Sequence, residues 1–484
     1  MPYFARIALR VLLTLSSMLA CRPISATLSL KFFGMMHMSG GQFIRVIRRR
    51  EVLALAFGAM IGWSWVALTG NWIDRAGSLG AMLAFVFGGV AVVLVGLTYA
   101  ELASAMPQAG GEHVYSHRAL GPTASFICTW AILLGYVSVV AFEAVALPTV
   151  ADYLVPGFSR GYLWTIAGWD VQLTWVLVGV VAAVFMTAIN IIGIRTAAKL
   201  QLLVTTLVLA VGVLLIGGAG IAGSAENMLP LFDNGAKGLL GVLVMVPFMF
   251  VGFDVIPQSA EEVNIPFSEI GRTLMISIVM AVFWYVLIIA AVSMGLPETG
   301  RAASSLPTAD ATAAVFGGSW AAKLLVLAGI GGILTSWNAF LIGGSRAVYA
   351  LARAGQLPRS LGALHPRYNT PHNAVLLIGV LSVIAPLFGR PALVWLVDAG
   401  GFGIVIAYAF VAWSFLVLRK REPEMPRPYE VRYGRLVGTA ALVLSLGITF
   451  LYFPGSPAAL VWPYEWLIVI AWVLLGGFML RIAR

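Results

Sequence analysis

Apolar residues run along this chain in long blocks rather than alternating or recurring on one helical face. Twelve blocks stand out, at 52–73, 79–103, 122–150, 172–193, 198–222, 237–259, 272–296, 320–350, 373–389, 392–418, 435–453 and 464–481. A bilayer core about 30 Å thick takes roughly 20 apolar residues as a helix. In hydrocarbon every backbone N–H and C=O needs a partner inside its own segment, which selects helices over open strands. Short alternating segments of the kind that build a membrane barrel are not seen. The pattern predicts an all-α integral membrane protein of twelve spans in a lipid bilayer.

Composition narrows this further. Of 484 residues, 60% are hydrophobic and 10% charged, where soluble chains carry about 25% charged residues, and the mean hydropathy is +0.95. A disordered chain, a nucleic-acid binder and a disulfide scaffold are excluded; the two cysteines, Cys21 and Cys128, cannot staple a chain of this size. The net charge of +10 is a matter of topology. With residues 45–50 placed inside, twenty basic residues fall on the inner side and six outside. That asymmetry predicts both termini in the cytoplasm and insertion in the inner membrane. Trp72, Trp164, Trp169, Trp462 and Trp466 fall near outer span ends, as interface anchors would. The first 35 residues resemble a signal peptide, with Arg6 and Arg10 ahead of the apolar stretch 11–20 and Cys21. Cleavage there would put 45–50 on the wrong side, so the expected start is Met35, Met36 or Met38, and 1–44 reads as an extension outside the fold.

Two spans are interrupted. The first carries Gly58 and Gly62 four apart, then Trp63, Ser64 and Trp65; the sixth carries Pro247, Gly252, Asp254 and Pro257. Proline removes a ladder hydrogen bond and clashes with the preceding turn, and glycine weakens a helix by about 1 kcal/mol. The breaks open two five-span blocks, 45–222 and 237–418, with 435–484 as two peripheral spans. Matching breaks in corresponding positions point to a transporter with an inverted repeat. A broken helix offers free N–H groups that suit a carboxylate and free carbonyls that suit an ammonium group, so one site with both matches a zwitterion such as an α-amino acid. Taken alone, Gly58 and Gly62 would read as a close-packing face.

Further along, Tyr99-Ala-Glu101-Leu102, Pro107, Gly110-Gly111-Glu112, Tyr115 and Gly121-Pro122 resemble the segment between the second and third spans of the amino acid–polyamine–organocation permeases. Gly252-Phe-Asp254, Ala260-Glu261-Glu262 and Pro266 resemble that family's sixth span. Arg346 to Pro358, spaced Arg-x-x-x-Ala-Leu-Ala-Arg-x-Gly-x-Leu-Pro, resembles the end of its eighth, and Arg419, Pro423 and Arg427-Pro428 resemble the loop after its tenth. The four stand in order from about residue 45 to the C-terminus. The resemblance implies a leucine-transporter-like five-plus-five inverted repeat with two peripheral helices, working by alternating access around a central site. It implies a substrate carboxylate at the amides of Gly62, Trp63 and Ser64, and an amino group at the carbonyls of Phe248, Met249 and Val251, with Gly58, Ile61, Gly252 and Asp254 completing the site. Where family members commonly have Gly-small-Gly in the first break, this chain has Gly62-Trp63-Ser64, so the tryptophan narrows the pocket or covers it. The resemblance also implies a sodium site from Gly58, Ile61, Gly332, Thr335 and Ser336; read without it, the two hydroxyls bond back to their own helix. In proton-coupled relatives a fifth-span lysine replaces the ion; here Val208 aligns there, and Lys199 lies nearer the cytoplasmic end.

Two acids lie inside spans. Glu143, in the third, is a candidate proton carrier or a seat for a cationic substrate, or else a residue bonded to a neighbouring helix. Asp254, at the second break, reads as a cap on the following half-helix before it reads as a substrate contact. Glu101, Glu112, Glu261 and Glu262 are expected to pair with Arg118, Arg272 and Arg346 on the inner side. No GxxxxGK[ST] loop occurs, and the histidines and cysteines have no metal-ligand spacing, so neither cofactor nor enzyme chemistry is expected. The resulting reading is a secondary transporter for amino acids, as symporter or exchanger with H+ or Na+ as candidate coupling ion. The runner-up is a permease or antiporter for polyamines or other small organic amines. A channel would need a continuous polar pore, and a receptor or enzyme would need a soluble domain or a cluster of ligating groups.

Overall fold

The structure is a computed structural model. It describes residues 45, 47–192 and 194–483, with the backbone alone for 194–200. The readings made on 1–44 and on the side chains of Arg195 and Lys199 fall outside it.

The chain is helical almost throughout. In order come α1 (Arg49–Ile61), α2 (Ser64–Ala67), α3 (Thr69–Ala76), α4 (Ser78–Ala105), α5 (Glu112–Leu120), α6 (Pro122–Leu154), the antiparallel hairpin of β1 (Tyr162–Ile166) and β2 (Trp169–Gln172), α7 (Leu173–Ile192), α8 (Ile194–Ala222), α9 (Gly235–Leu243), α10 (Val246–Phe250) and α11 (Val255–Gln258). The second half continues with α12 (Phe267–Gly295), α13 (Glu298–Ala303), α14 (Pro307–Phe316), α15 (Ser319–Arg353), α16 (His372–Ile384), α17 (Ala392–Arg421), α18 (Gly434–Leu451) and α19 (Tyr464–Ala483). All twelve predicted blocks carry helix. Among the described residues ten helical stretches are long and apolar enough to cross a bilayer, with α9–α11 counted as one. An eleventh crossing arises if 49–76, bent by 64°, is one span, and 372–388 is apolar but shorter. The chain is thus a multi-pass membrane protein.

Helices from the first part of the chain meet helices from the second. α4 packs on α12, α6 on α15, α7 on α16, and α1 on α10 and α11. α17 packs along α6, while α18 and α19 lie against α17 at the periphery. The connections gather at two ends. At one, which we call the basic face, the strand-like stretch at Ile47 bridges Val263, and the loops after α4, α11, α15 and α17 meet. At the other, the hairpin face, lie β1–β2 and the loops after α8, α12 and α16.

One of the expected interface anchors is misplaced. Trp164 and Trp462 are exposed, but Trp72 is fully buried, 4.6 Å from Phe85 and 5.8 Å from Tyr285 between ring centroids. The bend at Leu68 turns α3 inwards, so a position near a span end in sequence faces the core in space.

Candidate functional site

Both predicted breaks are real gaps in the helix. α1 stops at Ile61, Gly62 and Trp63 are non-helical, and α2 resumes at Ser64. The first half-helix therefore ends with carbonyls, and the second begins with amides, that the helix does not satisfy. Side chains from elsewhere fill part of this need. The Tyr285 hydroxyl of α12 donates to the Met60 carbonyl at 2.6 Å and takes a hydrogen bond from Ser64 at 3.0 Å. The Trp65 indole donates to the Gly62 carbonyl at 3.1 Å.

Glu143 comes to the same gap from α6. It is 2% exposed, and its carboxyl faces the Trp63 backbone N–H and the Ser336 hydroxyl of α15. The glycine at 62 allows this close approach: a Cβ there would lie 3.0 Å from both Glu143 Oε1 and Ser336 Oγ, so one of them would have to give way. The other carboxyl oxygen, Oε2, has no hydrogen-bond partner among the described residues. The intramembrane acid therefore stands at the amides expected to hold a substrate carboxylate. Trp63 lies across α15 at Gly329, where any side chain would collide with its ring, and is wholly buried.

The second break starts where α10 ends. Val251 is extended and Gly252 has φ +133°, a conformation that L residues avoid. A Cβ on Gly252 would meet Ala59 at 2.7 Å and the Met60 nitrogen at 3.0 Å, so the two breaks lie side by side. No backbone hydrogen bond among the described residues ends on the carbonyls of Phe248, Met249 or Val251. Phe248 packs on Phe142 of α6, with ring centroids 5.9 Å apart, and on Gly400 of α17. Asp254 does cap, but backwards. Its Oδ1 accepts from the Gly252 N–H at 2.7 Å, and α11 has no side-chain cap. The turn at Gly252 aims that N–H at the side chain two residues on, which closes the gap itself.

Of the residues assigned to sodium, Gly58, Gly332 and Thr335 come together, and Ser336 stands at the first break. Thr335 donates to the carbonyls of Gly332 at 3.0 Å and Gly58 at 3.4 Å, while Ser336 faces Gly62 and Glu143. Neighbours in a helix point about 100° apart, which separates the two hydroxyls. Beside Gly58 stand Thr205 and Gln201 of α8, both donating to the Ala54 carbonyl, and Asn338 donates to Gln201.

Sequence reasoning found Gly58, Gly62, Trp63, Ser64, Gly252 and Glu143, and these come together. It missed Tyr285, Thr205 and Gln201. The only trace of them is a hydroxyl or amide inside an apolar span, and such groups most often bond to their own helix. Of the expected ion pairs, Glu262–Arg346 forms at 2.8 Å with both side chains buried. Glu101 instead takes Arg419 and Arg427, Arg118 takes Glu422, Arg272 takes Glu269, and Glu112 accepts from Gln258.

Comparison with known proteins bears on this geometry. The family described as Amino acid permease matches residues 48–478. A branched-chain amino acid permease of Bacillus subtilis is 27% identical over 386 residues, 78% of this chain and 82% of that one. A methylthioribose transporter of the same organism is 24% identical, covering 89% of this chain and 92% of its own. Its aspartate–proton symporter is 26% identical, with 85% and 80% covered.

Proposed function

The chain belongs to the amino acid permease family, and from that premise we propose that it carries an α-amino acid across the cytoplasmic membrane by alternating access, coupled to a proton. The observation that carries this is the place of Glu143. Ionised, it occupies the Trp63 amide and repels an incoming carboxylate; protonated, it releases the amide to the substrate. Proton and carboxylate are then bound together or not at all. The relative named an aspartate–proton symporter supports a proton in this role.

The wider arrangement is part of the same reading. The pairwise packing of α4 with α12, α6 with α15 and α7 with α16 supports a five-plus-five repeat over 45–222 and 237–418, with 435–484 peripheral and 372–388 as the twelfth crossing. The basic face is cytoplasmic by its excess of arginine, and on this reading both termini are cytoplasmic.

Glu143→Gln tests the mechanism in proteoliposomes. The expected result is loss of uptake driven by a pH gradient, with substrate binding and counterflow kept, because the amide mimics the protonated acid. Unchanged pH-driven uptake would remove Glu143 from the coupling step. The amine reading draws on the same acid, which would seat an ammonium group. On that reading Glu143→Gln abolishes binding itself.

A further inference from the structure

The last helix, α19, meets the rest of the molecule loosely. It packs chiefly on α17, and Val473, Leu474 and Phe478 on its outer side are exposed. Its inward stripe is Tyr464, Leu467, Ile468, Ala471, Trp472 and Leu475, spaced as one helix face. That stripe does not close on the helices opposite. Between it and α6, α16 and α17 lies a cavity of about 510 Å³, within the range of small-ligand pockets, roughly 300–1,000 Å³. The α6 wall is Leu134, Val137, Ser138 and Ala141, again one helix face and all buried. Trp472 closes the deep end, stacked on Trp130 of α6 at 4.5 Å, with each indole donating to the other's backbone carbonyl. The lining side chains that reach the surface, Ile384, Phe388, Leu467 and Ala471, place a side opening between α16 and α19.

The shape and chemistry of this space select its occupant. From Tyr464 to Leu475 it follows α19 for eleven residues, about 16 Å of helix and half of a hydrocarbon core about 30 Å thick. No charged side chain lines it among the described residues, and its only lining hydroxyls are those of Ser138 and Tyr464. A zwitterion finds nothing to pair with there, and a water molecule needs two to four polar partners. Left empty, the walls would forfeit their dispersion contacts on that side. What a bilayer offers through a side opening at that depth is the acyl chain of one leaflet. At the hairpin end Trp395 and Tyr464 stack at 4.3 Å, an amphipathic pair of the kind that sits at headgroup level.

The α6 wall also stands next to the second break. Gly400 of α17 is all that separates them: a Cβ there would lie 2.7 Å from that of Ser138 and 2.9 Å from the Phe248 ring. Packing this close passes a displacement on rather than absorbing it. We propose that the cavity binds one acyl chain of a phospholipid from the leaflet on the hairpin face, and that the bound chain steadies α6 at Ser138 and, through Gly400, the position of Phe248. The site stands on its own residues, and its effect on transport rests on the proposed function.

The test reads the buried wall, which lipid around the outside of the protein does not reach. The full chain is reconstituted in phosphatidylcholine vesicles doped with a phosphatidylcholine that carries a diazirine in the middle of one chain, illuminated, and mapped by mass spectrometry. The expected label falls within 134–141 as well as on the outward Val473, Leu474 and Phe478. Ala392→Phe puts a ring into the cavity from the buried end of α17. It should cut the label at 134–141 at least tenfold, leave the outward label unchanged, and shift the KM of uptake at least threefold with its pH dependence kept. Should that variant fail to fold, Ala385→Phe fills the same space from the turn after α16 and is read in the same way. Label confined to the outward positions, or undiminished at 134–141 in the filled variant, overturns the site. Lost label with uptake unchanged overturns the link to the second break. A wild type that is labelled at 134–141 but transports nothing overturns the proposed function alone.

Discussion

The two ends of the molecule use the same residue types in opposite ways. On the basic face arginine meets acid. Arg346 holds Glu262 by two contacts, at 2.8 and 3.2 Å, with both side chains buried, and Arg419 and Arg427 share the buried Glu101. On the hairpin face Arg301 and Arg390 meet carbonyls, and their charge is left facing a cavity. An ion pair ties two elements together and cancels its own field. A carbonyl-held arginine ties a loop and keeps its field. One end is therefore cross-linked by its charges, while the other presents them.

Breaking the lock should have the largest effect. Arg346→Ala leaves Glu262 charged in a site closed to water, and removing one partner of a buried pair costs about 3–5 kcal/mol. The thermal midpoint should fall sharply. Hydrogen exchange should rise at 45–50 and 259–266, which are joined by the Ile47–Val263 bridge, but not at 223–234 or 296–306. Adding Glu262→Gln should recover part of the loss, because it removes the stranded charge. A loss spread evenly over both faces would mean that the pair stabilises the whole fold rather than one end.

How much of this could be read beforehand differs between backbone and partners. The two breaks were legible because Gly62, Pro247, Gly252 and Pro257 change what the backbone itself can do. Glu143 was marked as a candidate too, since an acid in an apolar run has no cheap alternative. Which break it would face was not legible, because that depends on α6 packing against α15. Asp254 reads in sequence as a cap on α11, yet in space its Oδ1 also meets the turn before it, at Gly252, whose φ is +133°. Tyr285 was hidden because one hydroxyl in an apolar helix has no spacing to mark it, and Trp72 was misread because the apolar run continues through the bend at Leu68. Charge counting gave the basic face its excess but could not tell an arginine held by acid from one held by carbonyl.

Acid should also discriminate between the ends. His113 of α5, on the basic face, sits beside the Ser125 hydroxyl at 2.7 Å and is 7% exposed. Burial, and then the nearby His117, lower its pKa from the ordinary 6.5 to about 4. Between those values the unfolded chain binds a proton that the folded one refuses. The contribution is complete above pH 6.5 and is lost as pH falls towards 4, on the order of 3 kcal/mol at about 1.4 kcal/mol per unit. His113→Asn should flatten the fall in thermal midpoint between pH 7 and pH 4. The arginines of the hairpin face do not titrate in that range. Peptides around α5 should therefore gain exchange on acidification before those at 296–306 do, and a simultaneous gain at both ends would remove the contrast.

The smallest effect tests the contrast from within the basic face. Arg118 and Glu422 meet in two contacts, with the longer at 3.0 Å, and their geometry is as good as that of Glu262 and Arg346. Their side chains are 49% and 31% exposed, so water screens the attraction and solvates whichever partner is left behind. Exposed pairs contribute about 0.2–1 kcal/mol, and Glu422→Gln should cost no more than that, with uptake and exchange at 259–266 unchanged. If it instead cost as much as Arg346→Ala, contact geometry rather than burial would set the strength of the lock. The distinction between a cross-linked end and one that presents its charges would then rest on how many arginines find acids, not on where they find them.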